Sequence, residues 1–121
     1  VGAGNLGKAL ALHEEFPRRG FNIVGIFDVD SRKIGKKVGD LTIMSSREIP
    51  VVVPAKKVDI GVIAVPAPAA QGVADVLIMS GVKGLLNLAL THIVAPKSVP
   101  IVDSRIVASL LELSHTIKSR R

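Results

Sequence analysis

The chain has no cysteine, tryptophan or tyrosine, and only three phenylalanines among its 121 residues. Lacking cysteine, it forms no disulfide, offers no thiolate to a metal and carries no thiol redox chemistry. With almost no aromatic rings, aliphatic side chains must fill the core. No uninterrupted apolar run reaches the roughly 18 residues of a membrane span, and no signal peptide is visible, so a soluble, cytoplasmic protein with no membrane partner is expected. The sequence also lacks a P-loop, a nucleophile elbow and any His, Asp or Glu cluster with metal-ligand spacing.

What is present is a strongly apolar composition, 48% hydrophobic, in a length that suits one domain. The formal charge is +6, with basic residues at Arg18 and Arg19, Lys33, Lys36 and Lys37, Lys56 and Lys57, and the tail Lys118, Arg120 and Arg121. These clusters are scattered and have no aromatics between them. A solvated face explains them better than a nucleic-acid contact.

The most informative motif is the trio Gly2, Gly4 and Gly7 at the head of a helical pattern. In a dinucleotide-binding turn the first glycine permits a tight bend, the second lets the backbone approach a pyrophosphate, and the third lets helix and strand pack closely. The ligand's negative charge then meets a helix N-terminus. Such a turn should follow a buried strand of about five or six residues. Only Val1 precedes it, so the chain is expected to be an internal piece of a longer protein.

Along the chain, residues 5–16 have helical spacing and end against Pro17. Residues 21–27 form a short apolar run suited to a buried parallel strand that ends near Asp28. A polar, glycine-punctuated loop with one helical turn leads to a short strand at 41–44. Pro50, Pro54 and the valines between them argue against a helix longer than a turn or two. Residues 58–65 read as another buried strand closed by Pro66 and Pro68, 69–80 as a helix stopped by Gly81, and 84–88 as the next strand. A short strand at 101–102 precedes an amphipathic helix over 104–118, capped by Asp103 or Ser104. The alternation predicts an α/β fold, a Rossmann-like doubly wound, mostly parallel sheet truncated at its first strand, with a C-terminal helix.

Ligands of such sheets bind beyond the carboxyl ends of the strands, where strand order reverses. Asp28 lies 21 positions beyond Gly7, close to the spacing at which a carboxylate reaches the adenosine ribose hydroxyls and repels a 2′-phosphate. That favours NAD(H) over its phosphorylated counterpart. The other reading of Asp28 is a turn-forming aspartate, and Asp30 is either a second ribose contact or a cap on a helical turn. The loop Val65, Pro66, Ala67 either faces the pyrophosphate and nicotinamide half or simply ends its strand. Asn87 either bonds a ligand amide or ribose, or is a buried side chain bonded to backbone. No acid or base is placed for hydride transfer: His13, His92 and His115 read as surface or packing residues, and Glu14 and Glu15 face different directions on a helix.

Together these segments resemble the C-terminal domain of the bacterial redox-sensing transcriptional repressor Rex. The likeness covers nearly the whole chain: the turn from Gly2 to Leu10, the segment from Phe27 to Asp30 with Lys33 to Gly39, the loop from Val65 to Gln71, the strand from Gly84 to Ala89, and Leu110 to Ser114. It implies a protein that is not an enzyme but an NAD(H)-binding sensor, contacting cofactor through Gly2, Gly4, Asn5, Leu6, Gly7, Asp28, Val29, Asp30, Val65, Pro66, Ala67 and Asn87. It also implies a division into a cofactor domain at 1–103 and a helix with a basic tail at 104–121, a homodimer built through that helix by exchange between subunits, and operator DNA bound by an N-terminal winged helix outside this chain. Leu88 and Leu90 stand where that family is expected to have Phe and Pro, Arg105 where it has Asp, and His115 where it has an aromatic residue. Pro50 and Pro54 are expected to break a helix the family carries. Two other functions fit the glycine turn: the cofactor domain of an NAD-dependent dehydrogenase, and a CoA-binding module that would make less use of Asp28.

Overall fold

The computed structural model describes residues 1–104 and 106–119. Two three-stranded sheets form the frame. In one, β1 (Ile26–Asp28) runs parallel to β3 (Leu41–Ser45), which pairs antiparallel with β2 (Lys37–Val38). In the other, β4 (Ile60–Ile63), β5 (Gly84–Asn87) and β6 (Ile101–Asp103) are all parallel.

Residues 1 and 2 join the two. The Gly2 amide donates to the Phe27 carbonyl at 2.8 Å, and the Val1 carbonyl accepts from the Ala64 amide at 2.8 Å. The sheet therefore reads β2-β3-β1, then residues 1–2, then β4-β5-β6. The chain winds outward on one side of residues 1–2 and then crosses to wind outward on the other, which puts the reversal of strand order beside the glycine turn.

The helices follow from the apolar pattern. Helix α4 (Ala67–Ser80) opens with Pro68 in its first turn, where a missing N–H costs nothing, and stops at Gly81 with φ of 107°. Its buried face is Ala70, Ala74 and Leu77, two small residues that let it lie close on β4. They pack with Phe27, Ile49, Val53, Ile63 and Leu85 in one core cluster. A smaller cluster of Ala3, Ile26, Val38 and Ile43 lies around the glycine turn.

Three expectations need correction. The helix over 5–16 is two pieces, α1 (Asn5–Ala11) and α2 (Glu15–Arg18), with Pro17 inside the second. Pro17 sits in the first turn of α2, where its absent N–H would have had no partner anyway. Pro50 and Pro54 do not break the following helix, which keeps to the turn or two expected of it: a 3-10 turn at Ser46–Glu48 leads into α3 (Ile49–Ala55). Pro50 falls in the first turn and Pro54 in the last, so neither cuts through the middle of the helix. The strand before Asp28 is short, three residues rather than seven. The last helix, α5, spans Ile106–Ser119; residue 105, which joins it to its expected caps, lies outside the described residues.

Candidate functional site

A cleft of about 660 Å³ opens over the carboxyl ends of the strands at the reversal point. The glycine turn forms its floor, and each glycine there answers a separate steric demand. Gly2 has φ of 102°, and a Cβ on it would collide with the Ala64 carbonyl. A Cβ on Gly7 would strike the Gly2 carbonyl, so these two glycines let the turn close on β4 and on itself. Around Gly4 a Cβ would meet nothing within 4 Å. Since Gly4 lines the cleft and no side chain caps α1, the space is on the ligand side, where a pyrophosphate can approach bare backbone.

The end of β1 supplies the charge. One oxygen of Asp28 accepts from the Ala3 amide at 2.8 Å and the other from the Asp30 amide at 2.9 Å. Burial pushes this carboxyl up, but the amides of Asp30 and Ala3, the nearby Lys33 charge and the Val29 amide outweigh it and hold the group below the usual carboxylate range. Asp28 is therefore charged at neutral pH and ties the strand end to the glycine turn. Each oxygen keeps acceptor capacity for a ribose hydroxyl.

The sign of its pH dependence follows. A carboxyl depressed by folding adds stability that is fully present above its unfolded pKa of about 3.9, and that stability is lost as pH falls through the lower folded value. Acid titration of unfolding should therefore show a steeper loss below about pH 4 in the parent chain than in Asp28→Asn. Identical acid slopes would contradict this.

Asp30 caps the turn that follows it. It accepts from the Arg32 amide at 2.9 Å and pairs with the Arg32 guanidinium at 3.0 and 3.1 Å, an arrangement that holds its carboxyl down to about 2. It still borders the cleft beside Lys33. Of the other expected contacts, Leu6, Val29, Val65, Pro66 and Ala67 line the cleft. Asn5 and Gly7, on either side of Leu6 in α1, do not.

Asn87 is buried and fully engaged. Its Nδ2 donates to the Thr91 carbonyl and to Asp103 Oδ1, and its Oδ1 accepts from the Ala89 amide, all at 2.9 Å. It takes the second of the two readings of its sequence position, holding the loop after β5 rather than facing the cleft. That loop supplies Leu88, Ala89 and Leu90 to the far wall, opposite Asp28.

Sequence reasoning missed Lys33 and Ser46 as lining residues. Lys33 stands in the sequence as one of many scattered cations and inside the Rex-like segment, with no contact assigned to it. Ser46 follows β3, whose end lies beside Asp28 because Asp28 pairs with Ser45; its hydroxyl is buried and has no hydrogen-bond partner. Only the register of β1 on β3 reveals that placement. The three histidines are exposed and lie outside the cleft. Among the described residues no three His, Asp or Glu side chains could hold a metal ion.

Residues 1–91 match the family described as CoA binding domain. The chain is 42% identical over 122 residues to the redox-sensing transcriptional repressor Rex of Desulforamulus reducens, covering 99% of this chain and 58% of the relative. It is 45% identical over 121 residues to the redox-sensing transcriptional repressor Rex 1 of Thermotoga maritima, covering 99% and 57%. The chain thus spans little more than half the length of these curated relatives. Among solved structures it is similar to RSP, a Rex-family repressor, in complex with β-NADH, with a TM-score of 0.86 at 33% identity over 98% of this chain and 57% of that one. RSP in complex with β-NAD+ and operator DNA gives 0.87 at 33% identity, covering 98% and 55%.

Proposed function

The chain belongs to the CoA-binding domain family, and we propose that it is the NAD(H)-sensing and dimerising domain of a redox-sensing repressor like the Rex proteins it is similar to. The observation that carries this reading is the asymmetry of the cleft. One end holds the charged Asp28, Asp30 and Lys33; the other is walled by Ala64, Val65, Pro66, Leu88, Ala89 and Leu90, with no titratable side chain among them.

A dinucleotide fits that asymmetry. The pyrophosphate lies on the backbone at Gly4, the adenosine ribose on Asp28, and the nicotinamide ring against the aliphatic wall. Burying a cationic ring against aliphatic side chains costs more than burying a neutral one, so reduced cofactor is favoured over oxidised. The reading assigns no acid, base or nucleophile to the ring, in keeping with relatives named as repressors rather than enzymes. The cofactor acts as a signal: a shift between two dimer arrangements requires that NADH and NAD+ differ in their preference for them.

The family description makes CoA the second ligand to consider. Its adenosine carries a phosphate on the ribose, and the ionised Asp28 would repel it. Calorimetric titration with NADH, NAD+, NADPH and CoA separates the readings: NADH is expected to bind tightest. Tight CoA binding without an NADH response would overturn the proposal.

RSP has been solved in complex with operator DNA, and we assign the DNA contact of this protein to a winged helix outside this chain. Among the described residues no helix is long and apolar enough to cross a membrane. The division into a cofactor domain at 1–103 and a dimerisation segment at 104–121 rests on α5, which carries exposed Leu113 and Ile117 four residues apart on one face. A double change of these residues to Asp is expected to convert a dimer to a monomer in sedimentation equilibrium while the cofactor still binds. A double variant that remains dimeric would remove α5 from the interface.

A further inference from the structure

The loop over residues 88–94 forms neither helix nor strand, yet it supplies the aliphatic wall of the cleft. Its position is set by side chains. At one end Asn87, on β5, holds the Ala89 amide and the Thr91 carbonyl. In the middle, Ile93 is buried in the main core cluster. At the other end stands Gln71 of α4, which the cofactor reading leaves without a role. Its Oε1 accepts from the Val94 amide at 2.9 Å while its Nε2 donates to the Val94 carbonyl at 2.9 Å.

These two bonds close a ring between one side-chain amide and one residue's main chain, copying a strand pairing at a place where no strand exists. The second hydrogen of Nε2 goes to Asp75 Oδ1 at 2.9 Å, one turn further along α4. That bond fixes which way round the amide sits, with nitrogen towards the Val94 carbonyl. Both donors of Gln71 are thus in use. Gln71 itself does not line the cleft, although Ala69 and Val73 on either side of it do.

We infer that Gln71 is a positioning residue: by clamping Val94 it holds the 88–94 loop so that Leu88, Ala89 and Leu90 meet the nicotinamide half of the cofactor. The inference rests on the NAD(H) reading, since it assigns the aliphatic wall to that half. A loop without its own backbone ladder otherwise samples several positions, and a ring packed on it binds more weakly in proportion to the time the loop spends elsewhere. The adenosine half is held by other elements, the turn at Gly4 and the ends of β1 and β3, so it should not respond to Gln71.

The test compares Gln71→Leu with the parent in the full natural length of the protein, titrating each with NADH and with ADP-ribose, which keeps the adenosine and pyrophosphate but lacks the nicotinamide. Leucine keeps the helix preference of glutamine and makes neither bond to Val94. NADH affinity is expected to fall roughly 5- to 10-fold, the loss that follows from one or two neutral hydrogen bonds, with ADP-ribose affinity unchanged. Gln71→Glu should show the same split, because a carboxylate still accepts from the Val94 amide but repels the Val94 carbonyl and Asp75. Unchanged NADH affinity, or equal losses for the two ligands, would overturn the inference while leaving the cofactor assignment intact. A parent protein that binds neither ligand would overturn both.

Discussion

Gly4→Ala is expected to fold as well as the parent chain and to lose the nucleotide, whereas Gly7→Ala should lose both. At Gly4 a methyl group meets no protein atom within 4 Å, and the position precedes the first helical residue, where alanine costs about 1 kcal/mol or less relative to glycine. The methyl would stand where the pyrophosphate comes closest. A weakening of NADH on the order of 100-fold is expected, the loss of one or two charge-assisted hydrogen bonds.

At Gly7 the added atom strikes the Gly2 carbonyl, so the turn must open and pull away from β4. That should cost about 3 kcal/mol of stability or more, the upper end for overpacking, because the neighbour is backbone. Urea denaturation and NADH titration of both variants read the contrast. If Gly4→Ala binds as well as the parent, the space beside Gly4 does not belong to the ligand.

Asp28→Ala should weaken NADH roughly 10- to 100-fold, the loss expected when a carboxylate's bonds to hydroxyls disappear. Asp28 also anchors the Ala3 and Asp30 amides, so part of any loss reflects a loosened turn rather than a missing ribose contact. NADPH separates the two. It suffers the same loosening, but its 2′-phosphate gains from removal of a negative charge, so its affinity should fall less or rise. Equal losses for both nucleotides in fluorescence titrations would leave Asp28 as a structural carboxylate alone.

The parts of this site legible in the sequence were those fixed by backbone chemistry. Gly2, Gly4 and Gly7 announce themselves because few turns need glycine at that spacing, and Asp28 because it ends an apolar run at a distance the fold dictates. Helix α4 was equally plain, bracketed by Pro68 and Gly81. The antiparallel β2 was missed even though Gly39 and Asp40 form the two-residue connection typical of a hairpin, with Val38 paired to Leu41; the surrounding lysines made the stretch look like open loop.

Residues recruited by tertiary pairing were not legible. Ser46 reaches the cleft only because β3 pairs in register with β1, and Lys33 only because the turn capped by Asp30 points it there. Asn87 and Gln71 show the same limit from the other side: both lie in segments that suggest a site, yet their amides are spent on the main chain of one loop and on a neighbouring carboxylate each. The prolines at 50 and 54 misled for a local reason. Their effect depends on where in a helix they fall, and the helix ends were set by burial of Ile49 and Val53.

The most direct test of the account is a crystal structure of the protein with NADH. The expected result places the pyrophosphate on the Gly4 backbone, the adenosine ribose on Asp28 and an unreacted dihydronicotinamide ring against Leu88, Ala89 and Leu90. A nucleotide bound in the opposite orientation, or bound away from the glycine turn, would contradict it.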